Sequence, residues 1–266
     1  MDFKTTVDVA SLKTLIGNPG VAILDCRFDL AAPDAGRQAY LHEHIRGARY
    51  ADLNRDLSGP VTLSSGRHPL PAPDLIAARL GELGVGNATQ VVSVTSTGGS
   101  TAKMDIYQRT AAGWQPLRTD VPTHVGSAGL AAQAKSGVPA TPLGVYSLDS
   151  AFGTAPNPGT ALPYTQVGPN HWWSGDDHSP TFNSMQVCQK AQCPFNTAES
   201  ENLQIPQYRH AVVMGVNKQR VPGNGGAFFL HTTDGGPTAG CVAIDDDALV
   251  GIMKWLRPGA LIAVAK

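Results

Sequence analysis

Residues 229 to 244 read FLHTTDGGPTAGCVAI, two apolar runs joined by a loop of mostly Gly, Thr, Pro and Ala that has His231 near one end and Cys241 near the other. The apolar flanks predict two buried strands, and a loop held between buried strands is where a scaffold usually keeps its chemistry. A thiol attacks as thiolate, and near neutral pH it needs a base or a positive neighbour to become one. A histidine at a strand end can meet a cysteine across a flexible loop. The small residues before the cysteine, Thr238, Ala239 and Gly240, let a carbonyl approach backbone N–H groups that could hold an oxyanion. The stretch is equipped for acyl transfer, and the competing reading of Cys241 is a buried, inert thiol.

Working outward, the chain from about Ser96 onward is rich in Gly/Pro loops and short apolar runs. Strands are expected at 211–217, 227–233 and 260–266. One helix is predicted over 245–256: Leu249, Ile252, Met253 and Leu256 follow helical spacing, and its acidic first turn suits the helix dipole. The first ninety residues have another texture. Strand signals at 21–28, 47–53 and 88–94 alternate with a helix signal at 71–85, where Leu75, Ala78 and Leu83 fall near one face, Asp74 starts the helix and Gly84 follows its end. Such alternation implies βαβ units and a parallel sheet. The expected class is α+β: a partial α/β segment over 1–90 joined, inside QVVSV (90–94) and without a linker, to a mostly-β domain over 91–266 with one packed helix.

Composition removes several function classes. Charged residues make up 15% of the 266 and the net charge is −1 with mixed signs, so neither nucleic acid nor an anionic membrane is an expected partner. No apolar run approaches the roughly 20 residues of a membrane span. The opening MDFKTTVDVASLKTL lacks the apolar core of a secretory signal. TSTGGSTAK (95–103) lacks the Gly-Lys-Ser/Thr ending of a phosphate loop, and no cofactor is expected. Cys188 and Cys193 admit two readings, a local disulfide or a metal site with His178; the disulfide is the expectation and no metal site is assigned. The loop PNHWWSGDDHSPTFNS (169–184) either lines a groove for a sugar or peptide or plugs the edge of the β core. Trp172, Trp173 and Gly236 are the candidate substrate-binding residues. His124 and His210 are read as structural, the latter on a strand beside the active-site strand.

Two resemblances follow from particular motifs. HVGSAGLAAQAKSGVPATPLGVYSL (124–148) and GGAFFLHTTDGGPTAGCVAI (225–244) together resemble the catalytic domain of the L,D-transpeptidases, which cross-link peptidoglycan through a cysteine acyl-enzyme. The resemblance covers about 91–266, through Val125-Gly126, Thr141-Pro142-Leu143-Gly144, His231 and Gly240-Cys241. It implies Cys241 as nucleophile, His231 as base, oxyanion N–H groups from Gly240 and Cys241, and a peptidoglycan stem peptide as substrate. The family commonly writes Ser-His-Gly-Cys with Arg or Asn two places on, after a longer gap from the first histidine. Here Thr238, Ala239, Gly240, Cys241 and Ala243 stand in those places, as in a divergent actinobacterial-type branch. Separately, 23–59 and 66–74 resemble the first domain of two-domain rhodanese and mercaptopyruvate sulfurtransferases over about 5–92. In that family the persulfide-forming cysteine lies in a second domain. Cys26, on the first predicted strand, is therefore expected to be an inert core thiol, and His68 to be structural.

The reading is a cysteine acyltransferase of L,D-transpeptidase type. Its alternatives are a catalytically degenerate cell-wall-binding β domain, or a sulfurtransferase-related protein without its catalytic domain. The cell envelope is the address implied by the C-terminal resemblance, and the cytoplasm that implied by the opening residues if the chain is complete. Oligomeric state is not legible.

Overall fold

The computed structural model of the chain describes residues 6–17, 21–72, 75, 79–80, 86, 88–110 and 113–266. The chain divides into two compact units, one built on Lys4–Gly17 and Val21–Asn87, the other on Ala88–Lys266.

The first unit contains α1 (Val9–Leu15), β1 (Leu24–Asp25), α2 (Ala35–His42) and β2 (Arg49–Tyr50). Asp8 caps α1 by accepting from the Ser11 N–H at 2.7 Å. β1 and β2 pair in parallel, Leu24 opposite Arg49 and Asp25 opposite Tyr50, so the expected parallel pairing is present but short. The helix expected over 71–85 lies largely outside the described residues. Cys26, expected to be a core thiol, is exposed. β1 ends one residue before it, and a two-stranded sheet offers little face under which a side chain could be buried. His68 does have a structural partner, with Nε2 2.7 Å from Asn54 Oδ1.

The second unit is a sheet closed on itself. Its strands are β3 (Gln90–Gly98), β4 (Thr101–Thr110), β5 (Gly113–His124), β6 (Leu130–Ala131), β7 (Thr141–Pro142), β8 (Gly144–Gly153), β9 (Tyr164–Gln166), β10 (His171–Trp173), β11 (Met185–Val187), β12 (Glu201–Asn202), β13 (Ala211–Met214), β14 (Phe229–Thr232), β15 (Val242–Ile244) and β16 (Leu261–Ala265), with helix α3 (Asp246–Trp255). The order β13-β14-β15-β5-β4-β3-β16-β8-β9 is closed by a further β13–β8 pairing, which gives a barrel-like body with few free edges. The strand expected at 88–94 as part of the first segment's parallel sheet belongs here, as β3. It pairs with β4 and, in parallel, with β16. Its alternation explains the choice, since Val92 and Val94 are fully buried in the same cluster as Ile262 and Val264.

Helix α3 covers this core with Ala248, Leu249, Ile252 and Met253. Asp245 caps it by accepting from the Asp247 and Ala248 N–H groups. At its far end the Gln90 amide donates to the Trp255 carbonyl at 2.8 Å and accepts from the Arg257 N–H at 2.7 Å, so groups that a helix terminus leaves open are satisfied by β3. A small sheet, β11-β10-β12, stands beside the barrel. Next to it Cys188 and Cys193 form a disulfide with Cα atoms 5.3 Å apart, as the sequence suggested.

Asn183 joins this small sheet to the barrel. It adopts φ of 51°, a left-handed conformation that Asn tolerates better than most residues. Its Oδ1 accepts from Trp173 Nε1–H and the Ala227 N–H, and its Nδ2 donates to the carbonyls of Val216 and Asn217. Replacing it by Ala would strand these partners in a partly buried place. The expected cost is about 2–4 kcal/mol, read from urea unfolding followed by Trp fluorescence; all four Trp residues belong to the second unit. A loss under about 0.5 kcal/mol would show that the clip carries little.

Candidate active site

β14 and β15 run in parallel, with Leu230 opposite Val242 and His231 opposite Ala243. The loop 233–241 between them brings Cys241 to the start of β15, on the wall of a cleft of about 600 Å³. His231, Thr238, Ala239 and Gly240 line the same cleft.

The motifs singled out in the sequence hold this loop. Thr141, fully buried, donates its hydroxyl to the carbonyls of Gly240 at 2.7 Å and Cys241 at 3.1 Å, and accepts from the Gly126 N–H at 2.9 Å. Thr238 donates its hydroxyl to the Cys241 carbonyl at 2.7 Å. The Thr238 N–H donates to the Val125 carbonyl, and the Ser127 N–H to the Thr238 carbonyl, so Val125-Gly126 is a backbone partner of the loop. Gly126 has no room for a side chain: a Cβ there would sit 2.5 Å from the Pro139 carbonyl oxygen. Gly240 has φ of +138°, and a Cβ would meet the Phe228 ring at 2.9 Å. Both glycines are set by close approach, and Gly240 by conformation as well.

Cys241 is 7% exposed and packs with Phe152, Trp173, Tyr208 and Phe229. Its sulfur accepts from the Phe229 N–H and donates to the Ala227 carbonyl, each at 3.3 Å. Burial pushes the thiol far above its ordinary value, the Glu201 charge adds to this, and the Phe229 N–H works against it. At neutral pH the group rests as a thiol. His231 is buried, and its Nδ1 is 2.8 Å from the Thr232 carbonyl. That contact makes Nδ1 the protonated nitrogen and leaves Nε2 as the basic one. Burial lowers the imidazole's proton affinity, against opposing pulls from the Thr232 carbonyl and Asp234. His231 and Cys241 share the cleft, but no hydrogen bond joins them. The Tyr208 ring lies edge-on to His231 at 5.4 Å.

Other expected residues are distributed unevenly. The Gly240 N–H, expected as an oxyanion donor, is engaged with the Thr238 hydroxyl at 3.1 Å. Trp173 lines the cleft, whereas Trp172 is buried with Nε1–H donating to the Cys188 carbonyl, on the disulfide side. Gly236 is not part of the lining; its N–H donates to Asp234 Oδ1. His210 is structural, with Nδ1 2.8 Å from Asp246 Oδ1. Burial raises the proton affinity of Asp246, but Thr232, His210 and Arg209 outweigh it and hold the carboxyl below its usual range. Asp176, His178 and Glu199 could gather around an ion. The oxygens of Asp176 already accept from the backbone N–H groups of His178 and Asn196, and Glu199 accepts from the Asn196 amide, so their geometry is explained without one.

Two cleft residues were not foreseen. Glu201 in β12 and Tyr208 both line the cleft, and the Tyr208 hydroxyl donates to Glu201 Oε1 at 2.5 Å. Burial raises the proton affinity of the carboxyl, with the Tyr208 hydroxyl opposing. The available signal was a glutamate beside apolar Leu203 and Ile205 in a chain poor in charge.

The family model of the L,D-transpeptidase catalytic domain, YkuD, matches residues 102–264, more than half the chain. The crystal structure of Mycobacterium tuberculosis L,D-transpeptidase 1 is a weak structural likeness, 13% identical with a TM-score of 0.31, covering 67% of this chain and 62% of that one. The N-terminal part is similar to two bacterial proteins. One is a probable 3-mercaptopyruvate sulfurtransferase of Pseudomonas aeruginosa, 45% identical over 82 residues, which are 30% of this chain and 29% of that protein. The other is the putative thiosulfate sulfurtransferase SseB of M. tuberculosis, 40% identical over 76 residues, 29% of this chain and 26% of that protein. The chain spans less than a third of either relative. The family match alone carries the assignment: this chain belongs to the L,D-transpeptidase catalytic domain family.

Proposed function

We propose that the protein is a cysteine acyltransferase that acts on peptidoglycan stem peptides through a thioester on Cys241. The observation that carries this reading is the presence of Cys241 and His231 in one cleft, His231 on β14 and Cys241 directly before its parallel partner β15, at the end of a loop held by Thr141. As the sulfur attacks the donor carbonyl, its proton passes to His231 Nε2. A buried thiol with high proton affinity gives up its proton as the S–C bond forms, not beforehand. The Cys241 N–H is the oxyanion donor in this reading, in place of the Gly240 N–H. Collapse of the tetrahedral intermediate returns the proton from His231 to the departing amine of the donor's terminal D-amino acid. A second amine, the acceptor, then takes the acyl group and frees the thiol.

An extracytoplasmic address accompanies the reading, supported by the Cys188–Cys193 disulfide, which persists in oxidising compartments. A second reading, a wall-binding domain without turnover, is favoured by the engagement of the sulfur with Phe229 and Ala227.

Release of the terminal D-amino acid from a tetrapeptide donor separates the two. The wild type is expected to release it and Cys241→Ala is not; release at the same rate from both removes the acyltransferase reading, and none from either favours the wall-binding one. The pH profile is a second check. Neutral imidazole is the base and burial lowers its proton affinity, so turnover should hold as pH falls through about 6.5, the ordinary histidine value, and decline only below it. An acid limb above that value would contradict His231 as the base.

A further inference from the structure

The acyl transfer described above leaves Glu201 without a task. It stands in β12 opposite Trp173, and its carboxyl lines the cleft that holds Cys241. Its hydrogen-bond partner is the Tyr208 hydroxyl, and among the described residues no Lys or Arg forms an ion pair with it. A largely buried carboxyl with one hydroxyl partner is costly. It is also close enough to Cys241 for its charge to oppose thiolate formation. The first half of the reaction would run better with an amide or an apolar side chain here.

The cost is offset once a cation enters. Glu199 and Asp234 also line the cleft, against the single ammonium of Lys135, so the local field favours positive charge. The second half of an acyl transfer brings such a charge: an amine acceptor arrives as an ammonium ion and must lose a proton before its nitrogen can attack. We propose that Glu201, held by Tyr208, binds the ammonium of the acyl acceptor beside the Cys241 thioester and takes the proton whose loss makes the nitrogen nucleophilic. The assignment rests on the acyl-transfer reading of Cys241.

The step balances. The ammonium gives one proton to the Glu201 carboxylate. The nitrogen lone pair forms the C–N bond, the tetrahedral intermediate collapses with cleavage of the C–S bond, and the sulfur leaves with the electron pair. The second nitrogen proton passes through His231 Nε2 to the departing Cys241 sulfur. Glu201 returns its proton to solvent when product leaves. Its raised proton affinity suits it to hold that proton meanwhile.

The test follows one tetrapeptide donor through both fates, hydrolysis and transfer to glycinamide, in the full chain as wild type, Glu201→Gln and Glu201→Asp. The Gln variant keeps an acceptor for the Tyr208 hydroxyl. It is expected to form the acyl-enzyme at least as fast as wild type, because the charge opposing the Cys241 thiolate is gone, while the glycinamide concentration for half-maximal transfer rises about tenfold or more. The Asp variant should recover part of the loss. An unchanged ratio of transfer to hydrolysis at every glycinamide concentration overturns the assignment and leaves the acyl-transfer reading standing. A wild type that never forms an acyl-enzyme sinks both. Independently of any variant, choline should suppress transfer in the wild type while sparing hydrolysis, and its uncharged tert-butyl isostere should not. Equal effects of the two also overturn the assignment.

Discussion

One hydroxyl holds the loop that carries Cys241 in place. The chain leaves β14, makes a loop of small residues and returns as the parallel strand β15, and the turn into β15 is fixed by Thr141, which donates to the carbonyls on either side of the Gly240–Cys241 bond. Because that hydroxyl also accepts from the Gly126 N–H, the loop, the entry to β7 and the segment after β5 form one buried unit. A buried hydroxyl with both roles satisfied is rigid, since moving any partner leaves a polar group unpaired. Cys241 inherits this rigidity. Its sulfur is held by the Phe229 N–H at the start of β14 and by the Ala227 carbonyl just before that strand, in an apolar cluster that keeps it a thiol.

The closed sheet serves the same end. β13, β14 and β15 are short, and each is stabilised by neighbours on both sides: β13 closes onto β8, and β15 onto β5. Helix α3 begins directly after β15 and buries Leu249, Ile252 and Met253 in the common core. The cleft is thus built from strand ends on one side. On the other it is built from the small sheet, with Trp173 on β10 and Glu201 on β12, and from Tyr208 after it. Asn183 joins the two.

Much of this was legible in the sequence, and the reasons differ by element. The helix at 246–255 follows from apolar spacing and an acidic first turn. β14 and β15 follow from apolar runs that flank glycines, and the cysteine and histidine stand out because so little else in that loop is reactive. The grouping of Val125-Gly126 and Thr141 with the loop came from resemblance to a family; residues a hundred positions apart give no local signal that they touch. The strand at 88–94 straddles the expected join, and valine alternation marks a half-buried strand without naming its partners, which are β4 and β16. The apolar run 21–28 reads as a full strand that would bury Cys26, whereas only Leu24 and Asp25 pair. Glu201 and Tyr208 were invisible for a simpler reason. A polar residue on so short a strand becomes a half-buried acid only when the chain folds over it, and no periodicity records that event.

The most direct test of Cys241 as an acyl-transfer nucleophile is the intact mass of the full chain after incubation with a carbapenem, a β-lactam whose ring opens on an attacking thiol, with wild type and Cys241→Ala side by side. One adduct is expected on the wild type, mapped to the peptide that contains Cys241, and none on the variant. The same adduct on both, or none on folded wild-type protein, would contradict it.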